Sequence, residues 1–138
     1  MQPPPNNSPH AKATGIYDTN AKEFSQNQRE LEGKILLKSN KRIQEIMDNW
    51  DDTPKDTLEE TLKYNRKIWM LFYDTARENK ESMHSNELRN NISTLADFIF
   101  KREIEILSNP QKEKLAVLIS INKQIAVGLM TPVQQTEQ

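Results

Sequence analysis

The residues that could perform metal chemistry are few and scattered along the chain. The sequence contains two histidines and no cysteine. Glu81 and His84 stand at the Glu-x-x-His spacing of di-iron carboxylate bundles, but such sites need two of these motifs and further inward-facing glutamates. The motif occurs once here, and the other histidine, His10, lies in a proline-rich segment. The sequence therefore predicts no metal site and no cofactor.

Acid–base and phosphate chemistry find equally little support. Asp51-Asp52 and Glu59-Glu60 are pairs of adjacent carboxylates. Adjacent residues on a helix point about 100° apart, so these pairs are more typical of charges near helix starts than of a catalytic dyad. Three glycines are too few and too scattered for a phosphate-binding loop, and no Gly-x-Ser-x-Gly elbow is present. We therefore predict that the protein is not an enzyme.

Length and charge restrict the number of domains and the kinds of partner that this protein can have. A chain of 138 residues allows one domain. Its net charge of -1 provides no general attraction to nucleic acid or anionic membranes. No apolar run approaches the roughly 20 residues that cross a bilayer, and the N-terminus lacks the pattern of a secretory signal. We expect a cytoplasmic protein.

Composition divides the chain into three parts. Residues 1–15 contain four prolines and almost no apolar side chain, so we expect a disordered arm. Residues 131–138 are polar and should form a flexible tail. Residues 16–130 should form one helical domain.

Hydrophobic periodicity within that domain predicts four amphipathic helices. The first should run from about Asp18 to Asn49, with Gly33 as a candidate kink. The second should start at Thr53 or one turn later at Thr57, and the third at Ser85. In the fourth, Asn109 should be the N-cap and Pro110 the first helical residue. The predicted fold class is all-α: a compact bundle of about four amphipathic helices with a disordered N-terminal arm and C-terminal tail.

Three asparagines, Asn65, Asn91 and Asn122, lie on the apolar faces of three different helices. A buried amide without a hydrogen bond costs roughly 1–3 kcal/mol. One interpretation is that these amides bond each other or helix carbonyls and fix the register of the bundle. The other is that they line a groove and bond a partner's backbone.

Further apolar residues flank the main faces of the predicted helices. They either pack on a second neighbour within the bundle or form an exposed groove for an amphipathic partner helix. The groove interpretation gives a set of candidate partner contacts, which includes two of the asparagines: Tyr64, Asn65, Ile68, Trp69, Phe98, Phe100, Val117, Ile121 and Asn122.

A local basic stripe on the first helix comprises Lys34, Lys38, Lys41 and Arg42. Such a stripe is typical of a solvated helix flank. It is also the place where the backbone of an RNA could bind. No aromatic residue interleaves with it in the sequence, which counts against RNA binding.

Several blocks of sequence resemble the FlaF family of flagellar biosynthesis regulators of alphaproteobacteria. The more specific blocks are Tyr64-Asn65-Arg66 followed by Trp69, and Ile121-Asn122-Lys123 continuing to Gly128-Leu129. In chain order, the remaining blocks are Arg29 to Glu32, Leu36-Leu37, Trp50, Leu62-Lys63, Leu88 to Leu95 and Leu115 to Ser120. The similarity covers roughly Ile16 to Leu129.

This resemblance implies an all-helical, cytoplasmic protein that acts on flagellin. The family is associated with flagellin synthesis after transcription and with the delivery of flagellin subunits for secretion. It works in the same pathway as FlbT, a regulator of flagellin mRNA. Flagellin is therefore the expected partner, with an FlbT-like regulator or flagellin mRNA as the alternatives.

Overall fold

The computed structural model describes the backbone of residues 7–78 and 86–132, and the side chains of Glu23, of residues 26–77 and of residues 86–132. Within these ranges the chain forms four α-helices and no strand. They are α1 (Asn7–Asp48), α2 (Lys55–Glu78), α3 (Asn86–Ser108) and α4 (Ala116–Met130). The 3₁₀ segments Trp50–Asp52 and Lys112–Leu115 precede α2 and α4. The predicted all-α class is confirmed.

The first helix begins earlier than the sequence pattern predicts. Its start is Asn7 rather than a residue near Asp18, so it includes residues 7–15 of the expected arm. A helix needs only local backbone hydrogen bonds, and Pro9 lies in the first turn, where a missing amide hydrogen removes none of them. The remainder of the predicted arm, residues 1–6, and residues 133–138 of the predicted tail lie outside the described residues.

Proline positions predict where α2 and α4 start, and the structure bears this out for α2 alone. The Pro54 carbonyl accepts hydrogen bonds from the amides of Thr57 and Leu58 at 3.1 and 3.3 Å, so α2 starts at the earlier of the two candidate positions. The predicted start of α4 at Asn109 and Pro110 is wrong. Asn109 still donates its amide to the carbonyl of Glu105 at 3.0 Å as part of the last turn of α3, so it does not cap a new helix.

The helices pack around one core. Close backbone contacts are most extensive between α1 and α4 and between α2 and α3, and fewer between α1 and α2. Gly33 marks a close approach to α4, and α1 continues through this residue as one helix without a split. A Cβ atom on Gly33 would overlap Met130 Cγ and lie 3.1 Å from the carbonyl oxygen of Ala126.

Hydrophobic periodicity groups Leu31 with Ile35, Ile43 and Ile46 on one face of α1, but the structure exposes Leu31. Leu31 is 52% exposed, whereas Leu36 is completely buried. The buried face of α1 also contains Gly33, Ser39 and Asn40. These small and polar residues interrupt the apolar pattern, which is why hydrophobic periodicity alone placed the face slightly off its true direction.

Candidate functional site

A buried set of polar side chains connects all four helices. We call this set the polar cluster; its members are Ser39, Asn40, Asn65, Trp69, Glu103 and Asn122. Each is at most 9% exposed. The cluster therefore lies in the interior, where every polar group needs a partner within the protein.

Asn122 is the centre of the polar cluster. Its Oδ1 accepts a hydrogen bond from the indole Nε1 of Trp69 at 2.8 Å. Its Nδ2 donates to Oδ1 of Asn65 at 2.8 Å and to Oδ1 of Asn40 at 3.0 Å. Asn40 Nδ2 in turn donates to the carbonyl of Ile119 at 3.0 Å. One amide of α4 thus holds side chains of both α1 and α2 in register.

Glu103 connects α3 to the same cluster. Ser39 Oγ donates to Asn65 Oδ1 at 2.8 Å, and Asn65 Nδ2 donates to Glu103 Oε2 at 3.0 Å. Glu103 Oε1 has no hydrogen-bond partner and lies 3.6 Å from Nη1 of Arg66. Burial raises the pKa of Glu103 to about 7, against the opposing effects of the Asn65 hydrogen bond and the Arg66 charge.

The polar cluster has the properties of a hydrogen-bond network that stabilises the fold rather than those of a catalytic site. Asn65 and Asn122 bond each other, as the register interpretation predicts. Asn91 is exposed instead, since it lies at the edge of the apolar face of α3. Within the described residues no three His, Cys, Asp or Glu side chains are grouped so as to hold a metal. The Glu81 and His84 motif lies outside those residues.

Most of the candidate partner contacts are core residues in this fold. Asn65, Trp69 and Asn122 are completely buried, and Ile68 and Ile121 are each 8% exposed. Their faces are covered by neighbouring helices, which the single-helix patterns do not reveal. A partner meets these side chains only if the bundle opens.

The aromatic candidates are divided between different helix contacts. Tyr64 lies beneath Arg42 of α1, with 4.2 Å between the guanidinium carbon and the ring centroid. Phe100 packs edge-to-face on Tyr73 of α2, with 6.4 Å between ring centroids. The nine candidates therefore do not form one continuous groove.

Phe98 lies on the side of α3 that faces the connection to α4. The guanidinium carbon of Arg102 is 5.3 Å from the ring centroid of Phe98, and Arg102 Nη1 donates to the Lys114 carbonyl at 3.4 Å. Phe98 remains 39% exposed.

Val117 and Ile121 lie on the flank of α4 that α1 does not cover. On the opposite flank, Asn40 reaches the Ile119 carbonyl and Gly33 approaches Ala126. Helical spacing then places Val117 and Ile121 on the face of α4 opposite to these contacts. We use the name α3/α4 cleft for Phe98 of α3 together with Val117 and the edge of Ile121 of α4.

The basic stripe gains an aromatic neighbour from another helix. Lys34, Lys38, Lys41 and Arg42 are all exposed. Beside Arg42 is an open depression of about 190 Å³, lined by Arg42, Glu60, Lys63, Tyr64 and Lys67. No aromatic interleaves with the stripe in the sequence, but α2 supplies Tyr64 beside Arg42 through the α1/α2 contact.

Sequence reasoning missed Ser39, Asn40 and Glu103 as members of the polar cluster. The signal was available: Ser39 lies between Leu36 and Ile43, and Glu103 between Ile99 and Ile106, all at helical spacing. This is the pattern that singled out the asparagines. Serine and glutamate are common on solvated helix faces, so the same pattern is less specific for them.

Hydrogen bonds join residues from distant blocks of the sequence. Arg29 Nη2 donates to the Gly128 carbonyl at 2.9 Å, which satisfies one of the terminal carbonyls of α4. Trp69 and Asn122 are joined through the indole hydrogen bond described above. These blocks therefore specify how the helices are assembled.

Comparison with known proteins identifies a family. A family model described as flagellar protein FlaF matches residues 13–129. No curated protein and no solved structure matches the chain. Among the helices described, none is both long and apolar enough to cross a membrane.

Proposed function

Since this chain belongs to the FlaF family of flagellar proteins, we propose that it binds flagellin in the cytoplasm and supports flagellin synthesis and secretion as a chaperone. It acts by binding alone. An unassembled flagellin has amphipathic terminal helices that need to be covered, and one of these helices is the proposed ligand.

The observation that supports this proposal is the α3/α4 cleft. Phe98 of α3 is 39% exposed, and Val117 of α4 is half-buried. Amphipathic helices bind apolar grooves through side chains spaced three and four residues apart. Aromatic side chains commonly supply a large part of the energy at such interfaces. In this proposal Phe98 and Val117 supply the aromatic and aliphatic side chains that one face of a partner helix covers.

A double substitution in the cleft tests the proposal. We expect Phe98→Asp with Val117→Asp to lower the affinity for monomeric flagellin at least 100-fold, because two charges would have to be buried against an apolar helix face. Titration calorimetry measures the affinity. Because Val117 packs partly against the core, circular dichroism and thermal unfolding must show that the variant is folded at the temperature of the titration. The aspartate that replaces Val117 would lie in the first turn of α4, where a negative charge is favourable.

Ile104→Asp is the matched control for this double substitution. Ile104 also lies on α3, is 67% exposed, and points away from Phe98. The proposal is contradicted if the double variant binds flagellin like the wild type, or if Ile104→Asp weakens binding equally. Substituting Ile68 and Ile121 would be uninformative, because both are core residues in this fold.

RNA binding is a second candidate function, favoured by the depression beside Arg42. Arg42, Lys63 and Lys67 surround Tyr64 there, and basic residues beside an aromatic are typical of surfaces that bind single strands. We expect Arg42→Gln with Lys67→Gln to weaken any RNA binding and to flatten its dependence on salt, since fewer counterions would be released. Fluorescence anisotropy at several salt concentrations measures both effects.

Lys101→Gln with Lys112→Gln is the control for this test, because both lysines are exposed and lie outside the depression. If both pairs of substitutions weaken RNA binding equally, or if RNA binding does not depend on salt, a site beside Arg42 is contradicted.

An adaptor that binds an FlbT-like regulator is a further alternative. It would be favoured by a complex with that regulator together with no complex with flagellin.

A further inference from the structure

Glu103 is an ionisable group in the interior of the bundle. It is 1% exposed, and its neighbours provide one hydrogen-bond donor, Asn65 Nδ2, for its two carboxylate oxygens. An ionised carboxylate has about four acceptor sites, and a buried charge is costly unless it is paired and hydrogen-bonded. Arg66 Nη1, at 3.6 Å from Oε1, is beyond hydrogen-bonding distance. The ionised form of Glu103 is therefore poorly satisfied.

The groups around Glu103 offer little further compensation. Arg66 is the cation that faces it from α2, and the Arg66 side chain is 37% exposed. From α1 and α4 the polar cluster contributes uncharged groups: Ser39, Asn40 and Asn122.

Other charges near this part of α3 are directed elsewhere. Arg102 of α3 pairs with Glu105 at 3.2 Å. In the 3₁₀ segment beside α3, the Lys114 ammonium donates to the Asn109 carbonyl at 2.8 Å. The exposed Lys112 and Glu113 belong to the same segment.

We propose that Glu103 is a proton-sensitive latch between α3 and the rest of the bundle, which holds α3 firmly when protonated and loosens it when ionised. The geometry supports this role because Glu103 is the member of the polar cluster that α3 supplies. Loosening α3 would also move Phe98 and open the α3/α4 cleft. That last consequence rests on the proposed function, whereas the latch itself does not.

The direction of the pH effect follows from the raised pKa of Glu103, which burial brings to about 7 from an ordinary value of 4.5. The folded state then binds the proton more tightly than the open state. The contribution of Glu103 to stability is complete below the ordinary pKa and is lost as pH rises through the folded pKa. Opening of α3 should become up to about tenfold more favourable per pH unit between roughly pH 5 and 7, and then level off.

Hydrogen exchange of the α3 backbone amides, expressed as protection factors at pH 5.5 to 8.5, tests the latch without any partner. In the wild type the protection of residues 99–106 should fall with rising pH and then level off. In Glu103→Gln it should not change with pH, because glutamine keeps an acceptor for Asn65 and carries no charge. His10 and His84 are present in both proteins, so their titration cancels in the comparison.

Two further variants complete the test. Glu105→Gln is an exposed control on the same helix, and its protection of α3 should depend on pH as in the wild type. Arg66→Gln removes the cation that favours ionised Glu103, so the fall in protection should move to higher pH. The latch is overturned if the wild type and Glu103→Gln show the same pH dependence, or if Arg66→Gln leaves the transition unmoved. If the protection of α3 depends on pH but the protein does not bind flagellin, the proposed function is contradicted and the latch is not.

Discussion

Replacing Asn122 by alanine should lower the free energy of unfolding by about 3–5 kcal/mol, because several buried groups would lose their partner at once. The Trp69 Nε1 hydrogen would have no acceptor, and the Asn40 and Asn65 amides would lose the donor that joins them. All three partners are buried, so water cannot easily replace the lost hydrogen bonds. Urea unfolding followed by circular dichroism measures the change.

Asn91→Ala is the matched control, since Asn91 has the same residue type and lies on a helix but is exposed. It should change stability by less than about 0.5 kcal/mol. Equal losses from the two substitutions would contradict the polar cluster. A double-mutant cycle of Asn122→Ala with Trp69→Phe should give a coupling energy of about 1–3 kcal/mol, because both substitutions remove the same hydrogen bond.

Replacing Gly33 by leucine should lower the free energy of unfolding by about 3 kcal/mol, because α1 and α4 are in close contact at this residue. An added Cβ would overlap Met130 Cγ and lie 2.8 Å from Met130 Sδ and 3.1 Å from the Ala126 carbonyl oxygen. The side chain of Met130 can rotate, but the Ala126 carbonyl belongs to the helix backbone and cannot. The two helices would have to separate, which would stretch the nearby contact of Arg29 with Gly128.

Gly128→Leu is the control for the same change in side chain. A Cβ on Gly128 has no neighbour within 4 Å, so leucine there should raise stability by up to about 1 kcal/mol through its higher helix propensity. The thermal midpoints of both variants measure the contrast. A Gly33→Leu protein as stable as the wild type would show that α1 and α4 are not in close contact at this residue.

The break between α1 and α2 and the core face of α2 could be predicted from the sequence because both depend on local properties. Pro54 and the polar residues around it end one helix and start the next, whichever helix packs beside them. Leu58, Leu62 and Phe72 recur at helical spacing, and all three are buried. The match to the FlaF family, over residues 13–129, likewise comes from the sequence alone.

Helix ends were less predictable where they depend on competition between neighbouring turns. Asn109 has the residue type of an N-cap, but its amide completes the last turn of α3. Asn7–Asp48 is one helix although its first part contains proline and few apolar residues. In both cases backbone hydrogen bonding decided the boundary, and residue type alone left it open.

The sequence by itself determined that this protein is a set of amphipathic helices of the FlaF family with polar residues on apolar faces. Only the tertiary structure decided which flanks of those helices are covered. It buried Ile68 and Ile121, left Phe98 partly exposed, and paired Tyr64 with an arginine of another helix. The physical reason is that helical periodicity is local, whereas the order of helices around the core depends on packing and hydrogen bonds between residues far apart in the chain. The polar cluster is the clearest case, since each of its amides finds its partners on a different helix.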